Sequence, residues 1–333
     1  MQAWTVDDCR PIDEGPLRRV DREPPDPAAG EIAVDISCCG VCRTGLHLAE
    51  GDLRPRRHGV VPGHEIVGTV AALGSGVTEL AVGDRVGIPW LGGVDGSCRY
   101  CRTGRENLCT GPTFTGWDRD GGYADRCLAS ASFVYRLPAR LTDEQAAPLL
   151  CAGIIGFRAL LATGVRPGDA LAVYGFGGSA HLTAQLALHL GMRVHVLTRG
   201  EANRGLAEQL GVDSVGSERG TPPEPVQGGI LFAPAGDLVP VALGHLDAGG
   251  TLAVAGIHLS DIPALNYADH LFRERSVRSV TANTRQDGMR LLTLAERFHI
   301  VPTTVSYPMS QAPRAMADLA HGRFGGAAVL HNG

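Results

Sequence analysis

The chain has no uninterrupted apolar run near the roughly 18–20 residues that span a bilayer. Its start, Met1-Gln2-Ala3-Trp4-Thr5, carries no basic region leading into an apolar one. Neither a membrane span nor a signal peptide is therefore expected, and the expected compartment is the cytoplasm. A surplus of positive charge is also missing. Thirty Lys and Arg against 35 Asp and Glu leave a net charge of −5. That balance gives no reason to expect nucleic acid or an anionic membrane as a partner. There is no internal repeat and no low-complexity tract. The nine cysteines do not make an even set for pairing. They cluster at 38, 39 and 42 and at 98, 101 and 109, with 9, 127 and 151 apart. In a cytosolic chain such clusters point to metal rather than to disulfides.

What is present is the composition of a globular protein, 44% hydrophobic and 20% charged, with 45 glycines for turns and close backbone approaches. A length of 333 residues exceeds one ordinary core and predicts two domains. Ile32-Ala33-Val34-Asp35-Ile36 alternates as a strand, Ile66 to Val70 is another, and Val82-Gly83-Asp84-Arg85-Val86 turns into a third. The first 135 residues read as an all-β, loop-rich unit. Near Thr142, a plausible helix N-cap, the pattern changes. From about 155 to 285 strands (Leu171–Tyr174, Val194–Leu197, one within Gly250–Gly256) alternate with helices (Leu182–Leu190, Asn203–Leu210). That alternation predicts a parallel sheet covered by helices. Two more helices are expected near Gly288–Phe298 and Ala312–Gly322.

Tyr174-Gly175-Phe176-Gly177-Gly178-Ser179-Ala180 follows a strand and opens a helix, the context in which a Gly-rich turn binds a dinucleotide. Gly175 permits the tight turn, and Gly177 lets the backbone approach a pyrophosphate. Ala180 takes the third, close-packed position. The helix N-terminus then offers free N–H groups to phosphate. A purely structural turn is the competing reading. At the end of the next strand, where NAD-binding folds place a carboxylate, stand Thr198 and Arg199, with Arg204 beyond. A hydroxyl and an arginine suit a 2′-phosphate, so NADP is favoured over NAD. The competing reading of Arg199 is a solvated surface charge.

Two sets of metal donors stand out. Cys98, Cys101 and Cys109 make C-x2-C-x7-C, and Asp95 three residues earlier supplies a fourth donor. This predicts a compact lobe around a structural zinc, with a metal-free loop of three thiols as the alternative. The other set is Cys42 and His64, with Cys151 the best remaining thiol. Cys–His–Cys with an open position is the pattern of a catalytic zinc. Cys9, Cys38, Cys39 and Cys127 are read as packing residues.

With these residues in place the chain resembles the zinc-dependent alcohol dehydrogenases of the medium-chain dehydrogenase/reductase superfamily. The likeness runs over Cys39–His47, Pro62–Glu65, Trp90–Cys109, Asp120–Ala124, Leu150–Gly153, Gly175–His181, Thr281–Arg285 and Gly322–Leu330. It implies an α/β plus β architecture: a GroES-like β domain (1–154, resumed at 286–333) and a doubly wound Rossmann domain (155–285), with the active site in the cleft. It implies interconversion of an alcohol with an aldehyde or ketone by hydride transfer to or from NAD(P), zinc serving as Lewis acid. By the same resemblance Cys42, His64 and Cys151 hold the zinc, and Glu65 is a carboxylate able to swing in as a ligand. Thr44 bonds the substrate oxygen, and His47 ends a proton relay from Thr44 through the nicotinamide ribose. Arg43 and Asn283 belong with the cofactor, and Trp90 and Trp117 line the substrate pocket. A homodimer or homotetramer is implied as well.

Two positions depart from the family pattern. Gly45 stands where an Asp usually supports the zinc-ligating histidine, and Asp95 stands where the first of four structural cysteines is usual. The Gly45 departure keeps a second function in play, a cofactor-binding protein with reduced or lost catalysis. A zinc-independent quinone or enoyl reductase is the third, although such proteins lack the Cys–His–Cys set.

Overall fold

The structure, a computed structural model, describes residues 1–332. It divides into two compact units. One comprises Met1–Cys151, Ala282–Glu296 and the chain from Val301 on; the other comprises Ala152–Thr281 and Arg297–Ile300. Among the described residues no single helix is long and apolar enough to cross a membrane.

The first unit is organised around one long strand, Glu31–Val41, whose residues are buried along nearly its whole length. It pairs antiparallel with Ile66–Leu73, Arg126–Ser130 and the C-terminal strand Ala327–His331. Thr304–Pro308 joins the last of these in parallel, and Arg85–Ile88 and Tyr135–Arg136 extend the other side. Ile32, Val34, Ile36, Cys39 and Val41 enter a core with Ile66, Val70, Val86, Ala328 and Leu330. Sequestering such apolar area is the main force holding the sheet, at roughly 25 cal/mol per Å².

The expectation of an all-β first 135 residues needs correction. The sheet strand runs into an eight-residue helix, Arg43–Glu50, and a short helix, Arg99–Arg102, sits in the second donor cluster. Arg43–Glu50 starts after Cys42 in extended conformation, buries Leu46, Leu48 and Ala49, and stops at Gly51, whose N–H bonds the His47 carbonyl. Thr142 is the N-cap expected of it. Its hydroxyl accepts the Gln145 N–H, and Gln145 accepts the Thr142 N–H in return.

The second unit has the predicted parallel sheet. Six strands lie in the order Ser214–Gly216, Arg193–Leu197, Ala170–Tyr174, Val226–Leu231, Leu246–Val254, Ser276–Ser279, and every pairing is parallel. In chain order that is 3-2-1-4-5-6, the doubly wound arrangement, which places the end of the first strand where the order reverses. Ala170–Tyr174 is buried throughout, as a strand covered on both faces must be. The Ser276–Ser279 edge strand is exposed at all four residues.

Candidate active site and metal centres

The first unit brings Cys42, His64, Glu65 and Cys151 together, with their ligand atoms all within 4.8 Å of one another. Cys42 stands at the junction of the long strand and the Arg43–Glu50 helix. His64 and Glu65 immediately precede the neighbouring strand, after Gly63 at a φ of 97°. That left-handed turn needs glycine twice over, since a Cβ there would meet the Tyr123 ring at 2.5 Å. Cys151 lies 87 residues beyond His64, between a short 3-10 turn and the next helix.

The Cys42 and Cys151 sulfurs are 3.9 Å apart, and His64 Nε2 is 3.3 Å from the Cys151 sulfur. Edges of about 3.5–3.8 Å are what Zn–S and Zn–N bonds of usual length give in a tetrahedron. The donor set therefore fits a zinc ion. Its electrostatics point the same way. The hydrogen bond with Cys151, then His64, hold the Cys42 thiol well below its usual range despite burial. The complementary interaction with Cys42 and burial push Cys151 up. The pair thus favours ionisation at Cys42 over Cys151.

Glu65 is buried, and the room for it comes from a residue that sequence reasoning missed. Gly40, on the long strand, faces the Glu65 side chain so closely that a Cβ there would lie 1.8 Å from Oε2. Thr44 is buried with its hydroxyl 3.6 Å from the Cys42 sulfur. His47 Nδ1 lies 2.9 Å from Asp52 Oδ2, another unforeseen partner. That carboxylate favours the tautomer with the proton on Nδ1 and the lone pair on Nε2. The signal for Asp52 was its place just past Gly51, where the chain turns back on the helix end. Gly45 is buried in the same helix, and a Cβ there would touch nothing closer than 3.9 Å. No group replaces the missing carboxylate: among the described residues His64 Nδ1 has no hydrogen-bond partner.

Trp90 and the His64 ring pack in a T-shaped arrangement, with centroids 4.7 Å apart and an interplanar angle of 67°. It stacks with Phe114 and Trp117 at 4.8 and 5.9 Å, making an aromatic wall of three rings. Phe114 was not anticipated. Arg56 covers the Trp117 ring at 3.9 Å, and the Trp117 indole donates to the Arg54 carbonyl.

Asp95, Cys98, Cys101 and Cys109 form the second cluster, also within 4.8 Å. The Cys98 and Cys101 sulfurs are 3.6 Å apart, and Cys109 lies 3.1 Å from Asp95 Oδ2. Asp95 Oδ1 accepts the Ser97 and Cys98 N–H groups at 2.7 Å each, which leaves Oδ2 directed at the thiols. The Cys98 N–H above all, then the Cys109 thiol, hold this carboxyl far below its usual range. Backbone bonding at Cys101 lowers Cys98 to about 7, while burial pushes Cys101 up to about 12. A charged carboxylate and an acidified thiol are the states a metal needs.

In the second unit, Gly175 has a φ of 85°, and a Cβ there would fall 2.9 Å from the Ala233 nitrogen. Gly177 caps the Gly178–His189 helix, and the space beside its Cα holds no atom within 4 Å of where a Cβ would be. Phe176 is buried and anchors the turn, and Ser179 begins the helix behind Gly178. Thr198 is buried at the strand end. Arg199 is 81% exposed, 3.6 Å from Glu218. In the first unit, Arg43 is exposed at the start of its helix, whereas Asn283 is buried and donates to the Tyr135 hydroxyl at 3.4 Å.

Comparison with known proteins places these features. Residues 28–139 match the family model "Alcohol dehydrogenase GroES-like domain". A probable alcohol dehydrogenase AdhA of Mycobacterium tuberculosis (strain CDC 1551 / Oshkosh) is 54% identical over 99% of this chain and 97% of its own. An alcohol dehydrogenase of Geobacillus stearothermophilus is 35% identical over 99% of this chain and 98% of its own. Among solved structures, cinnamyl alcohol dehydrogenase SbCAD4 of Sorghum bicolor superposes with a TM-score of 0.89 at 26% identity, covering 99% of this chain and 97% of that one.

Proposed function

The chain belongs to the zinc-type alcohol dehydrogenases of the medium-chain dehydrogenase/reductase superfamily, and from that premise we propose how its residues divide the work of an NAD(P)-dependent alcohol or carbonyl oxidoreductase. Cys42, His64 and Cys151 hold the catalytic zinc, with Glu65 in reserve as a fourth donor. The observation that carries this reading is the set of donor separations, 3.9 and 3.3 Å, from three separate segments of chain. Zinc supplies Lewis-acid polarisation of the substrate oxygen, and the nicotinamide supplies or takes the hydride.

The remaining roles fall to the chain's own groups. Thr44 Oγ1, beside the Cys42 sulfur, holds the proton of the substrate oxygen. His47, oriented by Asp52, relays that proton to solvent. The wall of Trp90, Phe114 and Trp117 borders the substrate and excludes water from the histidine ligand. Glycines 175, 177 and 178, with Phe176 and Ser179, cradle the pyrophosphate at a helix N-terminus, assisted by Arg43. Asn283 contacts the coenzyme. NADP is preferred, because Thr198 and Arg199 close the strand end without a carboxylate. Asp95, Cys98, Cys101 and Cys109 hold a second, structural zinc. Self-association through the exposed Ser276–Ser279 edge yields a homodimer or homotetramer.

The test is a panel of alcohols and carbonyls assayed with NADH and NADPH side by side on zinc-loaded protein. Turnover with a higher kcat/KM for NADPH is expected. No turnover of any panel member with either coenzyme overturns the proposal.

A further inference from the structure

The lobe that carries the second donor cluster also holds a glutamate with no role in that cluster. Glu106 lies between Cys101 and Cys109, in the 3-10 turn Glu106–Leu108, and its side chain is only 12% exposed. Its carboxylate reaches across 179 residues of sequence to Arg285. Oε1 accepts the Arg285 backbone N–H at 2.5 Å, and Oε2 accepts Nε at 3.1 Å and Nη2 at 2.9 Å. One side chain thus satisfies an otherwise orphaned amide at the start of the Arg285–Phe298 helix and chelates the guanidinium of the same residue. The guanidinium also lies over the Phe133 ring at 4.5 Å and donates to the Ser132 carbonyl.

The residues just before Arg285 are held tightly. Ala282 has a φ of 48°, a left-handed conformation that a residue with a Cβ keeps only when its surroundings enforce it. Thr284 and Asp287 cap the helix reciprocally at 2.9 and 3.2 Å. Gly288 lets that helix seat on Tyr135, where a Cβ would come within 2.3 Å of the hydroxyl. Asn283 spends its amide donors on that same hydroxyl and on the Thr284 carbonyl. Its carbonyl oxygen is therefore presented in one orientation.

We propose that Glu106 is a positioning residue for the coenzyme: by clamping Arg285 it fixes the Ala282–Thr284 turn and so the orientation of Asn283. The inference rests on the assignment of Asn283 to the coenzyme. Without Glu106 the helix loses its first capping contact, Arg285 loses its counter-charge, and the strained turn is free to relax. Affinity for the coenzyme falls while the reaction centre at Cys42, His64 and Cys151 stays intact.

The test uses full-length, zinc-loaded protein with E106A, E106Q, R285A and the E106A/R285A double variant. NADPH and NADH are titrated by fluorescence, with zinc stoichiometry, thermal midpoint and steady-state kinetics measured in parallel. E106A should weaken coenzyme binding about 2–30-fold, the range of coupling through a packed network. KM for coenzyme should rise with kcat changed about twofold at most, and zinc content should not change. E106Q keeps an acceptor for the Arg285 N–H and should recover part of the loss. The double variant should be no weaker than the poorer single one, because the two groups act as one contact. A lowered midpoint with unchanged dissociation constants makes Glu106 merely structural and overturns the inference. Zinc lost in step with affinity overturns it too, since the lobe rather than the carboxylate would carry the effect. Wild-type protein that binds neither coenzyme overturns the proposed function itself; wild-type binding with unaffected variants overturns only this step.

Discussion

Gly40→Ala is the substitution on which the geometry of the reaction centre makes its sharpest demand. Gly40 looks unremarkable in sequence, an interior strand residue two positions before the proposed metal donor Cys42. Its added methyl would sit 1.8 Å from Glu65 Oε2 and 2.9 Å from both Cβ and Cδ of the same side chain. A non-bonded carbon and oxygen need about 3.2 Å or more, so the carboxylate end would have to retreat by over an ångström. Rotating the end of the side chain does not relieve the contact at Glu65 Cβ, which is held by its backbone. That backbone is fixed, since the Glu65 carbonyl accepts the Gly40 N–H at 2.9 Å and the next residue, Ile66, pairs with Cys39. The strand pair must open or Glu65 must leave its buried place.

Forced overpacking of this kind costs about 1–3 kcal/mol, or a fall of roughly 2–10 °C in the midpoint of a unit this size. Displacing a carboxylate that supports a metal centre commonly costs about 10–100-fold in metal affinity or activity. Differential scanning calorimetry and competition with a zinc chelator read the two effects separately. The decisive control is G40A/E65A, in which shortening Glu65 removes the contacts at Oε2 and Cδ and leaves only the one at Cβ. The thermal midpoint should then recover part of the loss, while activity stays low because the carboxylate is gone. A G40A protein with wild-type midpoint and zinc affinity would falsify the claim that this close approach places Glu65. So would a double variant no more stable than G40A alone.

Three further outcomes are expected. Gly45→Asp has room for its Cβ against Met316 and Tyr123 at 3.9 Å, so zinc retention under chelator should be unchanged or tighter, and weaker retention would refute the reasoning. His181 is buried and held down to about 4 from 6.5, chiefly by desolvation, so the unfolded chain takes up its proton first. Stability should fall as pH drops through that window, by about 2 kcal/mol between pH 7 and 5, and urea midpoints of His181→Gln should lose this part of the slope; an identical slope refutes the assignment. Val277→Lys places a charge on the exposed Ser276–Ser279 edge and should lower the mass seen by light scattering, whereas an unchanged oligomer would clear that edge of any role.

The parts of the site that sequence revealed are those in which residue type alone limits the chemistry. Cys42, His64 and Cys151 could be singled out as candidate donors because few residue types can bind zinc, and the fold brings the three together. The Gly-rich turn was identifiable because a strand before it and a helix after it are local patterns. The Arg43–Glu50 helix was not, since it is short, carries Gly45 inside it, and is fixed by packing Leu46 and Ala49 into a β core. Asp52 and Phe114 escaped notice for a related reason. A carboxylate five residues past a histidine, or a ring near a tryptophan, has no meaning until the chain has turned. The Glu106–Arg285 clamp spans 179 residues and leaves no periodic trace at either end. Even the strand end at Thr198 and Arg199 was only half legible. The lack of a carboxylate could be read, but the proximity of Glu218 to Arg199, supplied by a loop after a neighbouring strand, could not.

Glycine shows where that boundary runs. Gly40 and Gly45 stand five residues apart on either side of Cys42, and as letters they are the same. The structure gives them opposite meanings. At Gly40 a methyl collides with a buried carboxylate at 1.8 Å, so the missing side chain is a steric requirement. At Gly45 a methyl meets nothing nearer than 3.9 Å, from Met316 and Tyr123, so the missing side chain is not a steric requirement. Filling the first should break the proposed metal centre, and filling the second should leave it whole or strengthen it. A chain read without coordinates tells which side chains exist to do chemistry. Only the fold tells which absence the chemistry depends on and which it merely tolerates.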